Sequence, residues 1–169
     1  MSRVLAIDPG TTHSGWVLFD GRAVHDSGVL ANELLLAKLK DGQPEADVLA
    51  IEKIEAMGMA VGAEVFETVH WSGRFFQAWP GLRVMRVTRR QVKLGLCGNM
   101  RAKDPNIRQA LIDMLGPPGT KKAPGPTYGV TSHAWAALAV AVIAIGADKL
   151  PAPFERQASL LPTPDARAF

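Results

Sequence analysis

Two short apolar runs in this chain each end in a carboxylate: Val4-Leu5-Ala6-Ile7-Asp8 and Val48-Leu49-Ala50-Ile51-Glu52. An uninterrupted apolar run, as against an alternating one, marks a strand covered on both faces. After Asp8, Pro9-Gly10 forces a tight turn, and Gly15-Trp16-Val17-Leu18-Phe19 returns as a second strand. A negative charge at the tip of a buried strand, beside backbone that lets a ligand come close, suits a divalent cation or a phosphate. As parallel neighbours, the two runs would hold Asp8 and Glu52 about 5 Å apart across the sheet. Two carboxylates that close repel unless a cation lies between them. Glu55 competes with Glu52 for the second place. The plain alternatives are an ordinary Asp-Pro-Gly turn and a solvated glutamate at a strand end.

A second chemistry is written in the basic residues. Ten Lys and Arg lie between Arg83 and Lys122 against only Asp104 and Asp113, so this segment carries most of the positive charge of a chain whose net charge is +3. A basic region beside a cation-binding region points to a polyanion partner, with a solvated basic face as the competing reading. The single Cys97 excludes an intramolecular disulfide and a cysteine zinc site, and suits the cytoplasm. No Ser, Thr or Cys has a paired general base in the sequence pattern, which disfavours a side-chain nucleophile.

The elements that must position these groups follow from the hydrophobic pattern. With 169 residues and 47% hydrophobic content the chain reads as one domain over 1–150, followed by a Pro-rich tail over 151–169, extended or disordered. No run reaches the roughly 18–20 apolar residues that span a bilayer, and the first residues lack the order of a secretory signal, so no membrane association is expected. Val24–Leu30 is a third strand completing an antiparallel meander, Glu33–Lys40 a short helix, and Asp47–Glu52 the fourth strand. Ala60–Trp79 is the main amphipathic helix, its buried stripe read as Val61, Val65, Val69 and Phe76. Leu82–Val87 is a fifth strand, and Thr88 caps a helix through Leu94. Asn106–Leu115 is a further helix, Gly119–Pro126 a stretch without regular structure, and Ser132 opens an apolar last helix over Ala134–Ala147 that packs flat on the sheet. The expected fold is α/β: a ribonuclease H-like mixed five-stranded sheet, a three-stranded antiparallel meander plus parallel strands, flanked by helices.

Five blocks in this order carry a resemblance. They are Ala6-Ile7-Asp8-Pro9-Gly10, Ala50-Ile51-Glu52, the segment from Gly58 to Thr68, the segment from Arg101 to Leu111, and Ser132-His133-Ala134-Trp135-Ala136-Ala137-Leu138-Ala139-Val140-Ala141. Over roughly residues 3–147 the chain resembles the RuvC-type Holliday-junction resolvases, in the bacterial and bacteriophage branch of the ribonuclease H-like superfamily. The resemblance implies a homodimer that cuts symmetric strands of four-way or branched DNA. It also implies two Mg²⁺ or Mn²⁺ ions per active site, held by carboxylates of the first strand, the fourth strand and the start of the last helix. Carried over, Asp8 and Glu52 are the first two catalytic ligands, and the third position falls on His133 where many relatives have Asp. A further carboxylate one helical turn on falls on Ala136, which coordinates nothing; this departs from the family pattern and bears on the second ion.

The resemblance assigns Trp71 and Phe75, with Phe76 and Trp79, to a dimer interface, against the alternative of monomer core. Arg101, Lys103, Lys121 and Lys122 are the expected phosphate contacts, and Tyr128 either touches DNA or packs its loop. Trp135 reads as core, and His13, His25 and His70 as solvent-facing or structural. Three other readings compete. The segment Asp8–Gly15 also resembles the first phosphate loop of actin-like and sugar-kinase ATPases, which need a second domain. A branched-DNA-binding protein that has lost cleavage fits Ala136, and a ribosomal-RNA-processing nuclease of the same superfamily is the third.

Overall fold

The computed structural model describes residues 2–148 apart from Met57 and Met59. The expected tail over 151–169 lies outside the described residues. Strands β1 (Val4–Asp8), β2 (His13–Phe19), β3 (Val24–Ala31), β4 (Val48–Lys53) and β5 (Val84–Thr88) form one sheet in the order β3-β2-β1-β4-β5. The first three make the antiparallel meander, while β1–β4 and β4–β5 are parallel, as the ribonuclease H-like arrangement requires. Helices α1 (Asn32–Lys40), α2 (Ala63–Ala78), α3 (Arg89–Cys97), α4 (Asp104–Leu115) and α5 (Ala134–Asp148) cover its faces.

The two central strands explain their unbroken apolar runs. Val4 and Ala6 of β1, and Val48 and Ala50 of β4, join a core with α3, α4 and α5. The residues between them, Leu5, Ile7, Leu49 and Ile51, join a second core with Leu35, Leu36 and Leu39 of α1 and Trp71 and Phe75 of α2. Alternation along a strand is therefore present, but both faces are apolar. It has a consequence for the ends: Asp8 and Glu52 continue the series Val4-Ala6 and Val48-Ala50, so both carboxylates emerge on the α5 face. The last helix lies against β1 and β2 as expected, with Ala134, Ala137, Leu138, Ala139, Val140, Ala141 and Ala144 buried; alanine lets it approach the sheet closely.

Helix α2 departs from expectation in its orientation. Val69 and Phe76, read as part of its buried stripe, are both 47% exposed, and the residues it buries are Trp71, Ser72 and Phe75. Trp71 and Phe75 are thus core of this chain and not the dimer contact: Phe75 is 0% exposed and Trp71 8%. The physical reason is the spacing of Trp71, Phe75 and Trp79, four residues apart, which puts three large aromatics on one stripe against Leu35, Leu39 and Ile51. Arg74 lies over the Trp71 ring at 4.1 Å and pairs with Glu33 of α1, closing the α1–α2 seam. Truncation of Phe75 to Ala should lower unfolding stability by about 3–5 kcal/mol, as for a buried aromatic. Urea denaturation at several protein concentrations checks this; a core role predicts a loss that does not vary with concentration.

The segment expected to lack regular structure is a small ordered turn. Gly119 and Pro124 form an isolated antiparallel bridge, and the Thr120 and Ala123 main chains exchange hydrogen bonds of 3.0 and 3.1 Å. Gly119 makes the turn possible: its φ is +71°, and a Cβ there would stand 2.4 Å from the Ala123 carbonyl oxygen. Lys121 and Lys122 are exposed at its tip.

Candidate active site at the sheet edge

Ile7 of β1 pairs with Ile51 of β4, so Asp8 and Glu52 occupy the next row side by side. Their side chains share a hydrogen bond, Glu52 donating to Asp8. Glu52 is 8% exposed, and the Asp8 side chain 16%. Burial pushes both carboxyls above the ordinary carboxylate range, and for Glu52 the hydrogen bond and the charge of Asp8 add to the rise. The Arg89 guanidinium pulls both back down. A shared proton is how two buried carboxylates coexist when no cation separates them.

The third group arrives from α5. Residue Asp8 pairs with Gly15 of β2, and a Cβ on Gly15 would stand 2.3 Å from the His133 carbonyl oxygen. Only glycine lets the start of α5 come down on β2 at this point, and the result is that His133 Nδ1 stands 3.6 Å from Asp8 Oδ2. Ser132 before it takes a left-handed backbone, φ 46°, a conformation a non-glycine residue adopts only where its surroundings impose it. Its carbonyl serves the helix by accepting from the Trp135 amide at 3.2 Å. The imidazole is 69% exposed and forms the open rim of the site.

The loop between Asp8 and β2 is held by two residues the sequence reading passed over. Ser14 Oγ accepts from the Gly10 amide at 3.1 Å and donates to Asn32 Oδ1 at 2.7 Å, while Asn32 Nδ2 donates to the Gly10 carbonyl at 2.9 Å. Ser14 and Asn32 are 0% and 2% exposed. This closed polar network fixes the turn that follows Asp8. A polar residue at the head of each element was its sole sequence signal.

The donor chemistry of Asp8, Glu52 and His133, two hard carboxylates and an imidazole, fits one divalent cation. Ala136, one helical turn after His133, adds no donor for a second. Among the described residues no three His, Cys, Asp or Glu side chains converge as a preformed cage. The hydrogen-bonded pair must release its proton to receive a cation. Glu55, the competing ligand, is instead exposed and tied to Lys53 Nζ at 2.9 Å.

The expected DNA contacts are all on the surface. Arg101, Lys103, Lys121 and Lys122 are exposed, and Tyr128 is 43% exposed next to the buried Thr127 that anchors its turn through Gly116. Trp135 is core, 8% exposed, with the Arg108 guanidinium 4.8 Å from its ring centre. His13 and His70 are exposed, and His25 is exposed with Nε2 2.7 Å from Asp20. No described helix is long and apolar enough to cross a membrane.

No protein-family model matches the chain, and a search of curated proteins finds no significant match. Solved structures do match. A Thermus thermophilus RuvC in complex with Holliday junction substrate superposes with a TM-score of 0.61 at 22% identity, covering 85% of this chain and 92% of that one. A second Thermus thermophilus RuvC structure gives 0.58 at 22% identity, covering 86% and 95%. Identity at this level speaks to architecture, and the architecture of this chain is the RuvC fold, a ribonuclease H-like mixed sheet flanked by helices.

Proposed function

We propose that the chain is a structure-selective endonuclease that cuts four-way or otherwise branched DNA by phosphodiester hydrolysis at the Asp8–Glu52–His133 edge. The observation that carries the reading is the carboxylate pair: two acids on one sheet face, out of solvent and hydrogen-bonded, with an imidazole 3.6 Å from one of them. Such a pair contributes little to stability in place of an apolar contact, so its placement is explained by what it binds. The RuvC fold, and a RuvC neighbour solved with a Holliday junction, support the choice of substrate.

Mg²⁺ or Mn²⁺ held by Asp8, Glu52 and His133 would supply the positive charge that favours hydroxide over water and stabilises the five-coordinate phosphorus. The residues of the chain do the rest. Asp8, fixed by the Gly10–Ser14–Asn32 network, and Glu52, fixed by the sheet register, present their oxygens on one side. His133 completes the set from the opposite layer. Water oxygen bonds to phosphorus as the bond to the 3′ oxygen breaks, leaving a 5′-phosphate and a protonated 3′-hydroxyl. Arg101, Lys103, Lys121, Lys122 and Tyr128 hold the DNA backbone and a base face around the cut. The site opens onto solvent at His133, so a bulky substrate can reach it.

Cutting a two-fold junction on symmetric strands calls for two active sites related by the same symmetry, and a homodimer supplies them. With Trp71 and Phe75 buried, the apolar surface left for contact on α2 is Phe66, Val69 and Phe76, at 65%, 47% and 47% exposure. Phe66→Glu should convert a sedimenting dimer to monomer at tens of micromolar and leave the far-ultraviolet circular dichroism unchanged. A chain that sediments as monomer before any substitution contradicts the homodimer.

Binding should weaken steeply with salt, since each phosphate neutralised releases roughly one condensed counterion. Lys121→Ala with Lys122→Ala should lower affinity for junction and linear duplex alike and flatten the plot of log affinity against log salt by about two units. A slope unaltered by the double substitution places DNA elsewhere. The function itself is tested on a gel with four-way junction, Y-fork and linear duplex, with and without Mg²⁺ and Mn²⁺. Ala136 favours one second reading, a branched-DNA-binding protein of this fold that does not cut; binding without incision in Mn²⁺ is its signature.

A further inference from the structure

The space beside Ala136 is not empty of chemistry. Arg89, Asp104, Arg108, Ser132, His133 and Ala136 line a cleft of about 210 Å³. Arg89 is the first residue of α3 and follows Thr88, whose partner across the sheet is Lys53, the residue after Glu52. Its neighbour two residues back, Val87, belongs to the α5-side core, as Asp8 and Glu52 face that side. The guanidinium thus rises at the same end and face of the sheet as the two carboxylates, and its charge is felt at both of them. One edge is paired with Asp104 at the start of α4. The Arg89 side chain is 31% exposed and that of Asp104 82%, so the pair gives little stability in water. Its placement is better explained by where it holds the guanidinium.

We propose that Arg89, steadied by Asp104 beside the gap at Ala136, does the work of a second cation, receiving a non-bridging oxygen of the scissile phosphodiester in a site that holds one divalent ion. This rests on the endonuclease reading. Three physical points support it. Ala136 removes the donor that a second ion would need. A fixed positive charge within reach of Asp8 and Glu52 repels a second divalent ion from the same space. A planar guanidinium with five donors keeps several free after pairing with one carboxylate, and its fork matches two phosphate oxygens. Arg108, its guanidinium 4.8 Å from the Trp135 ring centre, adds a second guanidinium to the cleft wall. Asp104 is a positioning residue in this scheme and touches no reacting atom.

The test counts manganese and needs no activity. Calorimetric titration of the full chain with Mn²⁺ alone should give one site per chain. Ala136→Asp should stay at one while Arg89 is present, and Ala136→Asp combined with Arg89→Ala should give two. Arg89→Ala alone should keep its single Mn²⁺ and its junction affinity within about tenfold, while single-turnover cutting falls roughly 10²–10³-fold, the loss seen when one fixed transition-state donor is removed. Added guanidinium should restore part of that loss, which a merely structural role would not allow. Arg89→Gln, which keeps the stem of the side chain, repeats the measurement should the Ala variant fail to fold. Zero or two Mn²⁺ sites in the unaltered chain, or an Arg89 variant that cuts at the unaltered rate, overturns the proposal. A chain that binds one Mn²⁺ but cuts no branched DNA overturns the endonuclease reading instead, and the count in the double variant still decides whether Arg89 excludes a second ion.

Discussion

Asp8→Asn and Glu52→Gln are each expected to reduce cutting of a four-way junction by roughly 10²–10³-fold or more while junction affinity stays within a few-fold of the unaltered chain. The amides keep the volume and the hydrogen-bonding capacity of the pair, so the sheet edge keeps its shape, but each variant loses an anionic oxygen that a cation requires. On the proposed reading affinity is expected to come from elsewhere, from the exposed Arg101, Lys103, Lys121 and Lys122. Single-turnover cleavage in Mn²⁺ beside a mobility-shift titration separates the two quantities. Retained cutting in either variant would move the active site away from the β1–β4 edge.

The same pair makes stability depend on pH in a direction opposite to that of most surface carboxylates. Glu52 is pushed from 4.5 to about 8 in the folded chain, chiefly by burial and then by Asp8. A group whose folded value is raised holds a proton that the unfolded chain gives up, so stability falls as pH rises from the unfolded value toward the folded one. Free of divalent ions, the chain should be most stable near pH 5 and lose roughly 5–10 °C of melting temperature by pH 8.5. Mn²⁺ should restore the loss at the alkaline end, where the pair is free to bind it, and do little at pH 5. Glu52→Gln keeps a donor toward Asp8 and carries no charge; it should flatten the profile and melt above the unaltered chain at pH 8.5. Thermal scans of both chains with chelator and with Mn²⁺ check the four corners. A flat profile for the unaltered chain would mean that Asp8 and Glu52 are not coupled in a buried pair.

The sheet and its two carboxylates were legible because a central strand covered on both faces leaves an unmistakable trace, and Val4–Ile7 and Val48–Ile51 each run without a break into an acid. His133 came from the resemblance, as the residue standing at the third ligand position, and Gly15 explains why the head of the last helix can reach Asp8. The orientation of α2 was not legible from composition. The helix carries apolar residues on both sides, Phe66, Val69 and Phe76 against Trp71 and Phe75, and what selects the buried side is the shape of the α1 and β4 surface beneath it. Periodicity alone cannot see that surface, although the four-residue spacing of Trp71, Phe75 and Trp79 held the answer. The Ser14–Asn32 link joins residues 18 apart in sequence that only the β2–β3 pairing brings together. Arg89 was one of ten basic residues in a segment. Its position at the head of α3, just past the end of β5 and with its charge reaching both carboxylates, is what sets it apart from the other nine.

Hydrolysis of branched DNA at this sheet edge is tested by mapping the incisions. A four-way junction labelled on each strand in turn, incubated with the chain in Mn²⁺ and resolved at nucleotide resolution, should show paired cuts at symmetric positions on two opposing strands. The products should carry 5′-phosphates that a ligase can reseal, no cutting should occur in chelator, and linear duplex of the same sequence should be cut far less. Intact junctions under these conditions, or scattered cuts on junction and linear duplex at equal rates, would contradict it.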